Sequence, residues 1–257
     1  MTQEQRADYL IRSLLKERKE YRNIVPPCAL EEKQRLLRSL MNVRPPVPIG
    51  KDFLDVQDAY LKQRLVERGV TSLKDLTPVQ PGMYLWQGDI TTLAADAIVN
   101  AANSRMLGCF IPCHGCIDNA IHTYAGIQLR LECARIMMEQ KWEEPAGRAK
   151  ITKAYNLPCR YVLHTVGPVI EGTVTTEDCE LLESCYRSCL ELAAANGLHS
   201  VAFCCISTGE FHFPNKLAAQ IAVQTVRNWQ QQNPGKVEVI FNVFKDSDCA
   251  IYRRLLR

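Results

Sequence analysis

The sequence predicts an α/β domain with helices on both faces of its sheet, preceded by a helical extension. Beyond residue 76, short runs rich in Val, Ile, Tyr and Phe alternate with amphipathic segments. Before it, apolar residues recur only at helical spacing. The length of 257 residues, with 47% apolar and 23% charged, suits one large soluble domain with an appendage. The expected division is residues 1–76 for the extension and 77–257 for the α/β domain.

In the extension, residues 2–22 place Leu10, Ile11, Leu14 and Leu15 at helical spacing, and residues 30–42 do the same with Leu36, Leu37 and Leu40. The stretch Arg44-Pro45-Pro46-Val47-Pro48-Ile49-Gly50 is a stiff break. A third helix carries Phe53, Leu54, Val56, Tyr60, Leu61 and Leu65, and Gly69 marks its end. No residue pattern in the extension points to chemistry. The texture changes at Thr77-Pro78. Residues 83–86, 97–99, 150–155, 161–166, 201–206 and 237–244 read as strands. A long helix is expected over 117–139, with further helices over 177–196, 214–231 and 248–256. In such sheets the ligand lies beyond the carboxyl ends of the strands, so the loops after Val99 and Ile206 are the ones to watch.

Net charge is +3, too mild to argue for nucleic acid. No apolar run approaches the ~20 residues that span a bilayer. The start, Met1-Thr2-Gln3-Glu4-Gln5-Arg6, lacks the basic-then-apolar pattern of a signal peptide. A cytoplasmic location without membrane attachment is the expectation. Of twelve cysteines, Cys133, Cys185, Cys189, Cys204 and Cys205 sit inside apolar patterns, as small buried hydrophobes do in a reducing compartment.

Cys109, Cys113 and Cys116 are different. They cluster with His114 and Asp118 in the loop that follows an apolar strand. Thiolates and imidazole are the ligand set of zinc, and Cys109, His114 and Cys116, spaced five and two apart, can close on one tetrahedral ion with a fourth position left over. Cys113 can replace Cys109 on spacing alone. Asp118 opens the long helix, where an anion is favoured by ~0.3–1 kcal/mol. It suits either a cap or a group that orients or deprotonates a water. Asn103 both donates and accepts, as sugar hydroxyls require. His122 and His164 read as packed core residues, His122 near the site. In Gly88-Asp89-Ile90-Thr91 the aspartate caps a turn or accepts from a ligand amino group. Ser207-Thr208-Gly209-Glu210-Phe211-His212-Phe213-Pro214 follows a strand and can turn backbone N–H groups toward phosphate, with Pro214 in the first turn of a helix. It lacks the Gly-Lys-Ser/Thr of a P-loop. Phe244 can stack on a purine or belong to the core.

Taken together, these pieces resemble the macrodomain family of ADP-ribose-binding and ADP-ribose-hydrolysing proteins. The matching motifs occur in order: Gly88-Asp89-Ile90-Thr91, Asp96-Ala97-Ile98-Val99-Asn100-Ala101-Ala102-Asn103-Ser104, Ile117-Asp118-Asn119-Ala120-Ile121-His122, Gly147-Arg148-Ala149-Lys150-Ile151-Thr152, Tyr161-Val162-Leu163-His164-Thr165-Val166-Gly167-Pro168 and Ser207-Thr208-Gly209-Glu210-Phe211. They run from about residue 80 to 257. The resemblance implies a three-layer α/β/α sandwich with a mixed sheet. It implies that Asp89 and Ile90 hold adenine, that Phe244 stacks on it, and that backbone groups of Ser207, Thr208, Gly209, Glu210 and Phe211 wrap the diphosphate. Asn103 is then at the distal ribose and Asp118 beside the bond that is cut, the two catalytic residues of the pattern.

One departure is informative. The glycine-rich run of most macrodomains is replaced here by Cys109-Phe110-Ile111-Pro112-Cys113-His114-Gly115-Cys116. That is similar to the zinc-containing microbial macrodomain subclass, which also has an N-terminal helical extension and is often encoded beside a sirtuin-like ADP-ribosyltransferase and lipoyl-carrier proteins. The subclass pattern assigns Cys109, His114 and Cys116 to the metal. The expected function is zinc-dependent removal of mono-ADP-ribose from proteins, ester-linked to acidic side chains, with a lipoyl-carrier protein among the candidate substrates. A non-catalytic ADP-ribose reader with structural zinc and an O-acyl-ADP-ribose deacylase are the alternatives.

Overall fold

The strands that read as most apolar occupy the middle of the sheet. Ile98 and Val99, and Val201, Ala202 and Phe203, are buried on both faces, as strands between two helix layers must be. The computed structural model describes residues 1–257. The extension supplies α1 (Gln3–Lys16), α2 (Leu30–Val43) and α3 (Lys51–Arg68). The α/β part follows as β1 (Thr71–Ser72), β2 (Pro78–Gln80), β3 (Met83–Gln87), β4 (Leu93–Ala94), β5 (Ala97–Ala101), α4 (Ile117–Ala125), α5 (Ile127–Gln140), β6 (Ala149–Lys153), β7 (Tyr161–Thr165), α6 (Thr176–Ala195), β8 (Ser200–Phe203), α7 (Asn215–Gln232), β9 (Glu238–Val243) and α8 (Asp246–Leu255).

The main sheet has seven strands in the order β2-β3-β9-β8-β5-β7-β6. Strands β3, β9, β8, β5 and β7 are mutually parallel, while the edge strands β2 and β6 are antiparallel to their neighbours, so the sheet is mixed. Ile98 of β5 pairs with Val162 of β7 on one side and Ala202 of β8 on the other. Helices α6, α7 and α8 pack in succession, and α4 and α5 form a second helical layer with α2 against α4. The result is the expected three-layer sandwich. After β5 the chain builds outward toward β7 and β6, and β8 and β9 fill the other side. The loops after β5 and β8 therefore flank the point where the strand order reverses. No helix is long and apolar enough to cross a membrane. All twelve cysteines are free thiols.

The extension has its own small core, built from Ala7, Leu10, Ile11 and Leu14 of α1, Leu37 and Leu40 of α2, and Phe53, Tyr60 and Leu61 of α3. Ile127, the first residue of α5, completes that core, so the extension is docked on the α/β part. Residues 71–72, inside the stretch assigned to the extension, pair with β4.

One expectation fails. The single helix over 117–139 is two helices, broken at Gly126, whose φ is 95° and ψ 172°. The break is held from α3 and from the turn after β6. Gln57 Oε1 accepts the Ile127 N–H at 3.0 Å, and the Ala125 carbonyl accepts from Asn156 Nδ2 at 2.9 Å. A Cβ on residue 126 would come within 2.6 Å of Gln57 Nε2. Only glycine has ready access to this backbone conformation. We expect Gly126→Ala to lower stability by about 1–3 kcal/mol, read as a drop in urea midpoint.

Candidate active site

The site forms where the parallel strands end. Asn100, in β5, is fully buried and donates from Nδ2 to Asp118 Oδ1 at 2.8 Å. Asp118, the second residue of α4, is 5% exposed, and its Oδ2 accepts from Asn103 Nδ2 at 3.3 Å. One turn on, His122 Nε2 lies 3.5 Å from Asp118 Oδ1. Burial pushes the Asp118 carboxyl up to about 6, against Asn100, the Arg130 charge and Asn103, which pull it down. The N-terminus of α4 also favours the anion.

The donor atoms of Cys109, His114 and Cys116 all lie within 4.8 Å of one another, and Cys109 Sγ is 3.6 Å from His114 Nδ1. A tetrahedral zinc with its usual S and N bond lengths separates such donors by about 3.5–3.8 Å, so the set fits the ion with little adjustment. Burial pushes the Cys116 thiol up to about 12, and the neighbouring Cys109 adds to the shift. A cation at this spot would favour its thiolate. His114 Nε2 is 3.6 Å from Glu210 Oε1, so the imidazole lies between the thiols and the loop after β8. Cys113 is not in the set. Its φ of 52° turns it toward α2, where Sγ is 3.2 Å from Ser39 Oγ. Geometry thus separates the two cysteines that spacing left interchangeable.

The loop after β8 carries the remaining expected ligand groups. Ser207 has φ 62°, and its buried Oγ has no protein hydrogen-bond partner. Thr208 Oγ1 donates to Cys205 O at 3.0 Å, and Phe211 O accepts the Ile170 N–H at 2.9 Å. The N–H groups of Gly209, Glu210 and Phe211 donate to no protein acceptor. Consecutive unpaired amides in a tight loop form an anion-binding concavity. Pro214 is the N-cap of α7 and not inside its first turn. At the end of β9, Phe244 is 76% exposed, so it is not a core residue. Asp89 caps a turn, accepting Thr91 N–H at 2.9 Å, and also accepts from Arg68 of α3 at 2.9 Å. Ile90 is buried beside it.

His164 is the satisfied core histidine the sequence suggests, with Asn100 Nδ2 3.1 Å from Nδ1 and Thr152 Oγ1 2.9 Å from Nε2. Together with His122 and Cys133 it forms a second group of possible metal donors, fully buried. Both His164 nitrogens are already engaged, and the Arg130 charge disfavours a cation beside His122. Burial pushes His164 down to about 3 and His122 well below 6.5.

Sequence reasoning missed Asn100, Arg130, Arg68, Arg38 and Asn42. Arg130 alone left a signal, since it lies on the apolar stripe of α5 with Ile127 and Cys133. The others gain meaning only from what they face.

An α/β sheet with its ligand loops gathered over the carboxyl ends of parallel strands is the architecture of domains that hold phosphorylated ligands at a switch point. The Macro domain family model matches residues 99–222. A Treponema medium protein-ADP-ribose hydrolase is 55% identical, covering 100% of both chains. A Staphylococcus aureus (strain MSSA476) protein-ADP-ribose hydrolase is 50% identical, covering 96% of this chain and 94% of its own. The Trypanosoma brucei macrodomain solved in complex with ADP-ribose superposes with TM-score 0.66 at 33% identity, covering 86% of this chain and 95% of its own. The chain belongs to the Macro domain family.

The buried histidines carry a pH signature. The unfolded chain takes up protons on His122 and His164 below about 6.5 that the folded chain refuses, so stability is lost as pH falls from there. Asp118, raised to about 6, works the opposite way, gaining stability as pH falls through 6 toward 3.8. Two histidines outweigh one carboxylate. We expect the urea midpoint to fall between about pH 6.5 and 4.5, and His164→Gln to make that fall shallower.

Proposed function

We propose that the chain is a zinc-dependent protein-ADP-ribose hydrolase that removes mono-ADP-ribose ester-linked to acidic side chains. Hydrolysis of protein-linked ADP-ribose is the activity named for full-length relatives that share half of its residues. The observation that carries the zinc reading is the convergence of the Cys109, His114 and Cys116 donor atoms at the mouth of β5, in the same loop–helix junction as Asp118.

ADP-ribose lies across the strand ends in this reading. Phe244 offers its exposed ring to the adenine, and Asp89 and Ile90 line the far wall. Asp89 spends part of its acceptor capacity on Thr91 and Arg68, and a carboxylate has lone pairs left for an exocyclic amine. The unpaired amides of Gly209, Glu210 and Phe211, with the Ser207 hydroxyl and Thr208, take the diphosphate. Asn103 meets the distal ribose. When bound, zinc supplies a Lewis acid beside the bond to be cut. Asp118, its carboxylate held by the Asn100 and Asn103 amides, takes a proton from the attacking water at the anomeric carbon. Such assistance contributes roughly 10²–10⁴ in rate. A modified lipoyl-carrier protein is one substrate to try.

The experiment is release of labelled ADP-ribose from a mono-ADP-ribosylated carrier protein, with metal content measured on the same sample. We expect about one zinc per chain, a loss of roughly 10²-fold or more for Asp118→Ala, and a comparable loss for His114→Ala or after chelation. A wild-type protein that retains label without releasing it is a reader, and turnover confined to O-acyl-ADP-ribose is a deacylase. Either result replaces the present reading.

A further inference from the structure

The loop that carries the metal donors has little structure of its own. Between residues 102 and 116 the only internal backbone hydrogen bonds are Met106 N–H to Asn103 O at 2.9 Å and His114 N–H to Ile111 O at 3.3 Å. Apart from backbone bonds at Ala102, Ser104 and Cys116, the contacts that hold its backbone come from side chains, and two of these are on α2. Asn42 Oδ1 accepts the Cys113 N–H at 2.9 Å, and Arg38 Nη2 donates to His114 O at 2.9 Å. Being four residues apart, they lie on one face of the helix.

Arg38 does more than touch the loop. Nη2 and Nε both donate to Asn119 Oδ1, at 2.7 and 3.2 Å. That fixes the Asn119 amide so that Nδ2 donates to Ile111 O at 2.9 Å, and the Asn119 backbone N–H meets Cys116 Sγ at 3.4 Å. Asn42 Nδ2 donates to Thr123 Oγ1 at 2.9 Å, tying α2 to α4. Arg130 closes the other end. It donates to Leu107 O at 2.7 Å and Cys109 O at 3.4 Å, and to the α2 terminal carbonyls of Asn42 and Arg44 at 2.7 and 2.6 Å. Each of the three donor residues is thus one hydrogen bond away from a group fixed by α2 or by Arg130.

We propose that Arg38 and Asn42 are positioning residues for the metal, and that the helical extension is in this sense part of the metal site. The proposal rests on the zinc reading above. Anchoring of α2 to the rest of the extension needs neither residue. Leu37 and Leu40 are in the apolar core, and Lys33 pairs with Glu4 and Asp8 of α1 at 2.7 and 3.0 Å. The polar face of α2 at 38 and 42 is directed to the loop alone and to the helix that follows it.

The test uses cobalt as the probe in the full-length chain. Cobalt affinity is measured by competition with a chromophoric chelator, and the thiolate-to-cobalt absorption bands report the geometry. We expect Arg38→Ala and Asn42→Ala to weaken cobalt binding by about 10–100-fold and to shift those bands. Arg38→Lys, which keeps the charge and loses the fork, should recover part of the affinity. Lys33→Ala is the control. It removes a structural contact on the same helix and should lower thermal stability with affinity and bands unchanged. If Asn42→Ala does not fold, Arg38→Ala, at a half-buried position, decides the matter. Wild-type affinity and bands in a folded Arg38→Ala chain overturn the positioning role and leave the zinc reading standing. A wild-type chain that binds no cobalt or zinc overturns both.

Discussion

A buried guanidinium joins the three parts of this molecule. Arg130 is 5% exposed and has no carboxylate in hydrogen-bond contact. A buried charge without partners costs several kcal/mol. Here the cost is offset by carbonyls of Met41, Asn42 and Arg44 on one side and of Leu107 and Cys109 on the other. The planar fork is what allows one side chain to reach both sets, and a lysine ammonium could not span them. The face of Phe110 covers the guanidinium at 4.2 Å from the ring centroid. The end of α2, the root of the loop that carries Cys109, His114 and Cys116, and the core helix α5 are thereby fixed in one arrangement.

From that arrangement the site inherits its shape. Two thiols and an imidazole that are to hold one cation, as proposed for Cys109, Cys116 and His114, would need placing to within tenths of an ångström, and an irregular loop supplies no such accuracy alone. The helices around it do. The same layer holds Asp118 at the start of α4, where two side-chain amides and a helix N-terminus offset part of the upward push that burial gives its carboxyl. The opposing wall is plain backbone. The loop after β8 presents three unpaired N–H groups and no lysine or arginine of its own, so an anion there is met by dipoles. Positioned charge on one wall and neutral donors on the other suit a ligand with a diphosphate at its middle and a reactive sugar at one end.

Much of this was legible in the residues. The strands of the sheet core were found to within two or three residues because buried parallel strands are continuous apolar runs. The cluster of Cys109, His114 and Cys116 and the neighbouring Asp118 stood out because Cys, His and Asp lie so close together in one loop. Cys113 did not separate from Cys109, since spacing says nothing about a positive φ that sends one side chain the other way. The break at Gly126 was hidden by an unbroken apolar stripe, and the reason for it, Gln57, lies 69 positions upstream. Edge strand β2 was missed because three residues, two of them exposed and one half-buried, carry no apolar pattern.

By itself the sequence determined the alternation of elements, the motifs of the Macro domain, and the kinds of chemistry available in each loop. These depend on local periodicity and on residue type, which a chain displays without folding. The tertiary structure decided which thiols face one another, which amides steady the carboxylate, and that the extension reaches into the site. Those are contacts between residues such as Arg38 and His114, 76 positions apart. A hydrogen bond over that distance leaves no periodic trace, because its geometry exists only once both partners are packed in place.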